Sequence, residues 1–208
     1  MTALGTPDLR RAAREDIPHL AQVLADSFSD DPFVSWIVGE GARRRARLDR
    51  LFVITLEALS SDLRETYTVD GATGCIVWRA SADCKLPWWR ELALVPEFCR
   101  ISGIRRVAQV LRVFAGLEAL HDEHAPEPHY YLHVLGVAPD HQRRGIGHRL
   151  IQPALDRFDQ EGTAAYLETF KAQTVGFYER HGFRTVGAIA LPALPPGWVM
   201  RREAEWVS

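Results

Sequence analysis

Hydrophobic residues recur at two spacings along the chain, and these separate helices from strands. Steps of three and four residues place side chains on one face of an α-helix, whereas alternation or a short apolar run is typical of strands. The first pattern predicts helices over 17–28, 42–61, 145–160 and 174–181, a short helix or turn over 33–37, and two or three helices between 87 and 121. The second predicts strands over 9–12, 66–69, 75–79, 130–137, 164–169, 183–190 and 198–202.

Several polar residues and glycines mark the ends of these elements. Asp16 and Thr174 are predicted N-caps of the helices that follow them, because their side-chain oxygens can accept a free amide hydrogen. Gly182 is predicted to end the last helix in a left-handed conformation. Pro153 should bend the helix over 145–160, since it removes one backbone hydrogen bond.

The composition limits the class of protein. With 208 residues, 47% of them apolar and 25% charged, the chain can bury one full core, so we expect a single domain, 1–208, with a helical insertion at about 83–128. The formal net charge of −2 supplies no basic field for nucleic acid or a membrane surface. The expected partner is therefore a small molecule.

Cysteine usage and the chain start bear on location. Cys75, Cys84 and Cys99 are an odd number without a CxxC pair, which argues against a disulfide framework and against a structural zinc site. The N-terminal residues lack the apolar stretch of a signal peptide, and no segment approaches the length needed to span a bilayer. A cytoplasmic protein without a metal is predicted.

The most informative stretch is the junction after the strand over 130–137. The chain turns at Ala138-Pro139-Asp140-His141 and enters Gln142-Arg143-Arg144-Gly145-Ile146-Gly147-His148, a helix start with two glycines. Such a start offers unpaired backbone N–H groups and a positive dipole end, which suit a pyrophosphate. A Walker loop would need Lys and Ser or Thr after Gly147, and a dinucleotide fingerprint would need Gly or Ala at Leu150.

These residues resemble the GNAT superfamily of N-acetyltransferases. Gln142 to Gly147 matches the family signature, in which Gln or Arg is followed after two residues by Gly-x-Gly or Gly-x-Ala, and Gly176 to Phe183 is similar to the helix and turn after the fifth strand. The runs Leu135–Gln142, Tyr166–Thr169 and Phe177–Arg180 resemble the puromycin N-acetyltransferase branch. The resemblance is strong over 129–202 and diffuse before it.

The resemblance implies an α/β (α+β) fold, in which a mixed central sheet is flanked by helices and splayed between strands 4 and 5. Acetyl-CoA would lie in that gap, with 129–202 as the cofactor-binding core. The implied cofactor-binding residues are Leu135, Gly136, Val137, Gln142, Arg143, Arg144, Gly145, Ile146, Gly147, His148, Thr174 and Phe177. Where many relatives have Asn, Thr174 lacks the amide that could reach the pantetheine.

Three residues are candidates for the chemistry that the resemblance implies. Tyr178 matches the family's proton donor to the coenzyme sulfur; the alternative is a buried core aromatic beside Phe177. His133 is expected on the same strand face as Tyr131, Leu135 and Val137, toward the cleft, where it could act as general base. Glu168, on the facing strand, is the competing base, and a structural role for His133 stays open.

The acceptor mouth is predicted from the family architecture. The implied substrate-binding residues are Asp30, Asp31, Phe33, Trp36 and Trp198. Carboxylates beside aromatic rings would suit an amine cation, whereas the alternative makes Asp30 and Asp31 a solvated turn and Trp36 a core anchor. Phe170, where the puromycin branch would lead one to expect Ser, leaves the acceptor open.

The predicted function is an acetyl-CoA-dependent N-acetyltransferase acting by direct attack on a primary amine of a small molecule, such as an aminoacyl-nucleoside or antibiotic-like compound, in a monomer or homodimer. Two alternatives remain: a non-catalytic acyl-CoA-binding sensor or interaction module, and an acetyltransferase for protein or peptide amines. The sequence does not identify the acceptor, the acyl-chain preference or the oligomeric state.

Overall fold

The structure, a computed structural model, describes residues 9–58, 63–85 and 87–205. The strands are β1 (Leu9–Arg11), β2 (Thr66–Val69), β3 (Gly74–Ala80), β4 (His129–Val137), β5 (Ala164–Thr169), β6 (Arg184–Ile189) and β7 (Gly197–Arg202). The helices are α1 (Ile17–Ser27), α2 (Pro32–Val38), α3 (Arg44–Ala58), α4 (Ser81–Cys84), α5 (Trp88–Ser102), α6 (Val107–His124), α7 (Ile146–Glu161) and α8 (Ala172–Glu179). The predicted strands and helices are confirmed, with small shifts at their ends; residues 59–62, at the end of the second predicted helix, lie outside the described ranges.

The strands form one mixed sheet in the order β1-β2-β3-β4-β5-β7-β6. Among the described strands only β4 and β5 are parallel, and every other neighbouring pair is antiparallel. Apolar side chains of α1, α2, α3, α5 and α6 cover one face of the sheet, and those of α7 cover the other. The predicted mixed sheet flanked by helices is confirmed.

The sheet opens between its two parallel strands. β4 and β5 pair only from His129↔Ala164 to Tyr131↔Tyr166, although β4 continues to Val137 and β5 to Thr169. Beyond that point the β5-facing edge of β4 has no strand partner among the described residues. The splay predicted between the fourth and fifth strands is therefore confirmed.

A β-bulge in β4 changes which side chains share a face. Val77 pairs with Val134 but Trp78 pairs with Leu132, so His133 is an extra residue opposite β3. After the bulge Leu135 and Val137 pack on the α7 side, whereas Tyr131 packs with the α6 side. The prediction that Tyr131, Leu135 and Val137 share one face is wrong, because one inserted residue reverses the alternation.

Two predicted caps are also corrected. The Asp16 side chain makes no cap bond to α1; its carboxylate instead accepts hydrogen bonds from Arg10 and from the Ala13 amide. α8 begins at Ala172, two residues before Thr174, whose hydroxyl donates to the Lys171 carbonyl at 2.8 Å. Gly182 does take a left-handed conformation after α8, with φ of +83°, as predicted.

None of the helices within the described residues is both long and apolar enough to cross a membrane.

Candidate active site

One large cavity of about 1440 Å³ runs from the glycine turn through the splay to the inserted helices α5 and α6. Ligand pockets are commonly about 300–1,000 Å³, so this one has room for more than one ligand. Of the predicted site residues, it is lined by Asp31, Phe33, His133, Leu135, Val137, Gln142, Arg143, Gly147, Glu168, Thr174, Phe177 and Tyr178.

The glycine turn presents an open set of backbone donors. The amides of residues 143–148 donate to no acceptor within the described part of the chain, as expected for the free first turn of a helix. Arg143 and Gly145 both adopt positive φ, +60° and +82°, which turns the chain sharply into α7. Positive φ is strained for arginine. This cluster of free amides at the N-terminus of α7 fits a diphosphate group.

The other residues around the turn have distinct structural roles. The Gln142 side chain donates to the Val137 carbonyl at 3.1 Å and so ties the turn to the end of β4. Nδ1 of His148 lies 3.0 Å from Nε2 of His181. Ile146 is buried in the core, and Arg144 is exposed.

Gly136 allows α1 to lie close against β4. A Cβ at this position would stand 2.7 Å from Cδ2 of Leu24 and 3.1 Å from Oγ of Ser27. The Ser27 hydroxyl also accepts a hydrogen bond from the Val137 amide at 3.3 Å. Gly136 therefore supports the cavity wall but does not line it.

Tyr178 reaches the cavity from α8, close to the splay. Burial, and to a lesser degree the nearby Asp31 carboxyl, raises the pKa of the Tyr178 phenol well above its ordinary value. The phenol hydrogen-bonds to no group within the described ranges, and its ring packs against Phe177 and Phe183. Tyr178 is thus held as a neutral phenol that can still donate a proton.

Glu168 lies at the widening of the splay, held by two tyrosines. Its carboxylate accepts hydrogen bonds from the hydroxyl of Tyr131 at 2.8 Å and from that of Tyr166 at 2.9 Å. Burial raises the pKa of Glu168 to about 7, although both tyrosines act in the opposite direction. A carboxylate that titrates near neutral pH is well matched to general base catalysis.

His133, the bulge residue, lines the same cavity. Burial, with a smaller contribution from the positive charge of Arg79, lowers the pKa of His133 to about 3. Its Nδ1 atom is buried without a hydrogen-bond partner in the described part of the chain. The imidazole is therefore neutral at physiological pH and a much weaker base than Glu168.

The predicted acceptor residues separate into two groups. Asp31 is only 7% exposed, and its carboxylate accepts the Val34 amide hydrogen at 2.9 Å as the N-cap of α2; burial raises its pKa. Phe33 lines the cavity and stacks on Phe170 at a ring-centroid distance of 4.5 Å.

Asp30, Trp36 and Trp198 do not line the cavity. Asp30 forms a surface ion pair with Lys171. Trp36 packs against Phe33 and under the guanidinium of Arg106, 5.1 Å from its ring centroid.

A polar group at the far end of the cavity was not predicted from the sequence. Arg79, at the end of β3, lines it together with His121 and His129, whose Nε2 atoms are 2.6 Å apart. Burial lowers the pKa of both histidines, that of His121 to about 4. Arg79 is the last residue of a predicted strand, where a solvated side chain is ordinary, and His121 lies within a polar run, so neither carried a signal. Within the described ranges, no three His, Cys, Asp or Glu side chains form a metal-ligand group.

Comparisons with known proteins agree with this geometry. Residues 97–183 match the model of the acetyltransferase (GNAT) family. A protein from Corynebacterium glutamicum, described as histone acetyltransferase HPA2 and related acetyltransferase, superimposes with a TM-score of 0.69 over 98% of this chain and 99% of its own, at 20% sequence identity. The fold is the GNAT acetyltransferase fold.

This chain is also similar to two further proteins. Drosophila melanogaster polyamine N-acetyltransferase, an enzyme that forms N-acetylagmatine, has a TM-score of 0.62 over 95% of this chain and 100% of its own, at 13% identity. An uncharacterized protein of Mycobacterium leprae is 35% identical over 107 residues, 48% of this chain. That match spans only 28% of the relative's length. The family-model match and the solved neighbours together show the GNAT acetyltransferase fold.

Proposed function

We propose that this protein is an acetyl-CoA-dependent N-acetyltransferase that acts on a primary amine of a small molecule. The observation that carries the proposal is the sharing of one cavity by three features: the turn with the free amides of residues 143–148, the neutral phenol of Tyr178, and the carboxylate of Glu168. When bound, acetyl-CoA would supply a thioester carbonyl for attack. The free amides and the edge of β4 would hold its diphosphate and pantetheine.

Glu168 is the proposed general base, in preference to His133. An amine must lose a proton to attack a carbonyl, and the base is most effective when its pKa lies near the working pH. Glu168, with a pKa of about 7, meets this condition, whereas His133, with a pKa of about 3, does not. Tyr131 and Tyr166 fix the carboxylate in place.

Tyr178 is the proposed proton donor. Because the pKa of its phenol is raised, the neutral form persists at physiological pH and can give a proton to the departing thiolate. Gly182, in its left-handed conformation, ends the turn after α8, and the Phe183 amide donates to the Tyr178 carbonyl at 3.1 Å. These features fix the backbone at Tyr178, while packing of its ring against Phe177 and Phe183 holds the phenol.

The cavity shape favours a small acceptor over a protein chain. Side chains of α5 and α6, among them Phe98, Phe114 and Leu117, line its far end. The inserted helices thus form a wall where an extended peptide would need an open groove. Agmatine and polyamine acceptors of structural neighbours are consistent with an amine substrate, and the puromycin branch remains a prediction from the sequence motifs.

The proposal is tested by mixing the purified chain and acetyl-CoA with a panel of amines and measuring thiol release and acetylated product. At least one amine should be acetylated with release of an equal amount of CoA. Binding of CoA without turnover of any amine would favour the non-catalytic sensor, and failure to bind CoA would contradict both.

A further inference from the structure

Arg79 places a buried positive charge in the wall of the cavity without a counter-ion. The residue is only 6% exposed, and no carboxylate of the described residues lies within 4.0 Å of its guanidinium. Its Nη2 atom donates to the carbonyls of Asp83 and of Cys84, which leaves Nε and Nη1 without acceptors in the described part of the chain. Burying an unpaired charge is costly, so this arrangement indicates a missing anionic partner.

The position of Arg79 relates it directly to the proposed base. Its Cα is the register partner of Tyr131 across β3 and β4, and side chains of such pairs lie on the same face of a sheet. The Tyr131 hydroxyl donates to Glu168. Arg79 and Glu168 therefore lie on either side of the same tyrosine, on the same wall of the cavity.

The other charged side chains near Arg79 lie at the surface, among them Asp83, which is exposed and contacts Arg79 through its carbonyl. Lys85 is paired with Asp122 at 2.8 Å. The pKa values of His121 and His133 are lowered by burial, so both imidazoles are neutral near pH 7. The buried end of the cavity thus carries one cation and, in Glu168, one group that titrates.

We propose that the acceptor is an amino carboxylate, whose carboxylate is bound by Arg79 and whose amine is presented to Glu168. This inference rests on the proposed function and specifies its substrate class. A guanidinium presents several donors in a planar fork that suits a carboxylate. Apolar side chains of Phe114 and Leu117 would contact the body of the acceptor. Polyamines, which carry a second cation in place of the carboxylate, should be poor acceptors.

The test uses amino carboxylates with different numbers of carbons between amine and carboxylate, each compared with its own carboxamide. The amide keeps the size and planar shape of the acid but removes the charge and replaces one acceptor oxygen with an NH2 donor. For the best chain length, kcat/KM should favour the carboxylate by about ten- to a hundredfold, the range of a buried hydrogen bond to a charged group. Equal or better turnover of the amide at every length would overturn the proposal.

Substitution of the arginine separates recognition from folding. In Arg79→Met the preference should disappear through a higher KM for the carboxylate, while the amide keeps its kcat/KM within about threefold. Arg79→Lys should restore part of the preference. If Arg79→Met loses activity on both substrates equally, the residue has only a structural role. Should the variant fail to fold, the comparison of acid and amide on the unaltered protein still decides.

Binding without turnover distinguishes this proposal from the proposed function. Calorimetric titration of the CoA-bound protein should show about ten- to a hundredfold tighter binding of the amino carboxylate than of its amide. If no amine is acetylated but this difference is present, the proposed function fails and the anion site stands. If amines are acetylated without this difference, the proposed function stands and the anion site at Arg79 is contradicted.

Discussion

The hydroxyl of Tyr131 donates a hydrogen bond to the carboxylate of Glu168 at 2.8 Å, across the last paired residues of β4 and β5. This bond joins the two strands where the sheet begins to open. It also holds a carboxylate whose pKa is raised to about 7 inside the cavity. Most of the expected chemistry depends on the charge of that carboxylate.

Glu168→Gln should lower kcat/KM by about 100-fold or more, because the amide cannot accept a proton. In the unaltered protein kcat/KM should rise with pH to a plateau above a pKa of about 7, since the base must be deprotonated. The rise should be absent in Glu168→Gln, and CoA affinity should not change. An unaltered pH profile in the variant would assign the base to another group.

Tyr166→Phe should move the midpoint of that pH profile to higher pH. The Tyr166 hydroxyl donates to Glu168 at 2.9 Å and stabilises its charged form, so that it lowers the pKa of the carboxyl. Loss of this bond raises the pKa of Glu168. Steady-state kinetics across pH measure the shift. Tyr130→Phe is the matched control, because Tyr130 stacks on Phe158 on the other face of the sheet; it should leave the midpoint unchanged.

Tyr178→Phe should lower kcat by about 100-fold or more while leaving the affinity for CoA within about threefold, because the phenol acts on the departing thiolate. Steady-state assays measure kcat, and calorimetric titration measures the affinity for CoA. Retained turnover with the phenylalanine would remove Tyr178 from the chemistry. A combined loss of binding and turnover would indicate that it shapes the cofactor site instead.

Gly145→Ala should weaken CoA binding more than its effect on stability explains. Gly145 has φ of +82° at the free-amide turn, and Gly162, at the other end of α7, has φ of +64°; a Cβ at either position would meet no atom within 4 Å. Each substitution to alanine should cost about 1–2 kcal/mol of unfolding free energy through the backbone conformation alone. Gly162→Ala is therefore the matched control. Calorimetric titration should show weaker CoA binding for Gly145→Ala only; equal affinities would contradict the phosphate-binding role.

Arg202→Met should destabilise the protein by about 3–5 kcal/mol. The guanidinium makes two hydrogen bonds of 2.7 Å with Asp159 in a buried pair, and it also donates to the His181 carbonyl at the end of the α8 turn. The neighbouring Arg201 pairs with exposed Glu127 and Glu203. Arg201→Met should therefore cost about 1 kcal/mol or less. Urea denaturation of both variants and of the unaltered protein measures the two losses of unfolding free energy.

The pH dependence of the Arg202→Met effect has a defined sign. The hydrogen bond from Arg202 lowers the pKa of Asp159 below its unfolded value of 3.8. The pair therefore contributes its full stability above pH 3.8 and loses it as the pH falls through the lower, folded pKa. The unfolding free energies of Arg202→Met and of the unaltered protein should therefore converge as the pH falls into that range. A difference that stays constant into that range would contradict an ionic contribution from the pair.

Hydrophobic spacing predicted nearly every strand and helix, because the two periodicities are strong over elements of this length. The sides of β4 could not be predicted in the same way. Alternation implies that Tyr131 and Leu135 share a face, but the bulge at His133 depends on pairing with β3, which is not visible in the sequence of β4 alone. The prediction of Thr174 as a cap failed for a similar reason. The helix begins at Ala172, two residues before the polar residue that marked its expected start.

The glycine turn could be located from sequence because its chemistry belongs to consecutive backbone amides. The acceptor end could not, because it assembles side chains from distant segments. Arg79 meets Tyr131 through strand pairing and His121 through packing of an inserted helix. Asp30 was placed at the mouth by analogy, yet its charge is directed at Lys171 on the surface.

The extra residue in β4 changes which sequence positions face the helices on each side of the sheet. Residues before His133 direct odd-numbered side chains toward α6, and residues after it direct odd-numbered side chains toward α7. Deleting the histidine would leave Val134–Val137 on their present faces, because Trp78 already pairs with Leu132 and Val77 with Val134, but it would remove the imidazole from the cavity wall. The extra residue therefore serves the cavity and not the alternation of the strand, since its neighbours would keep their layers without it.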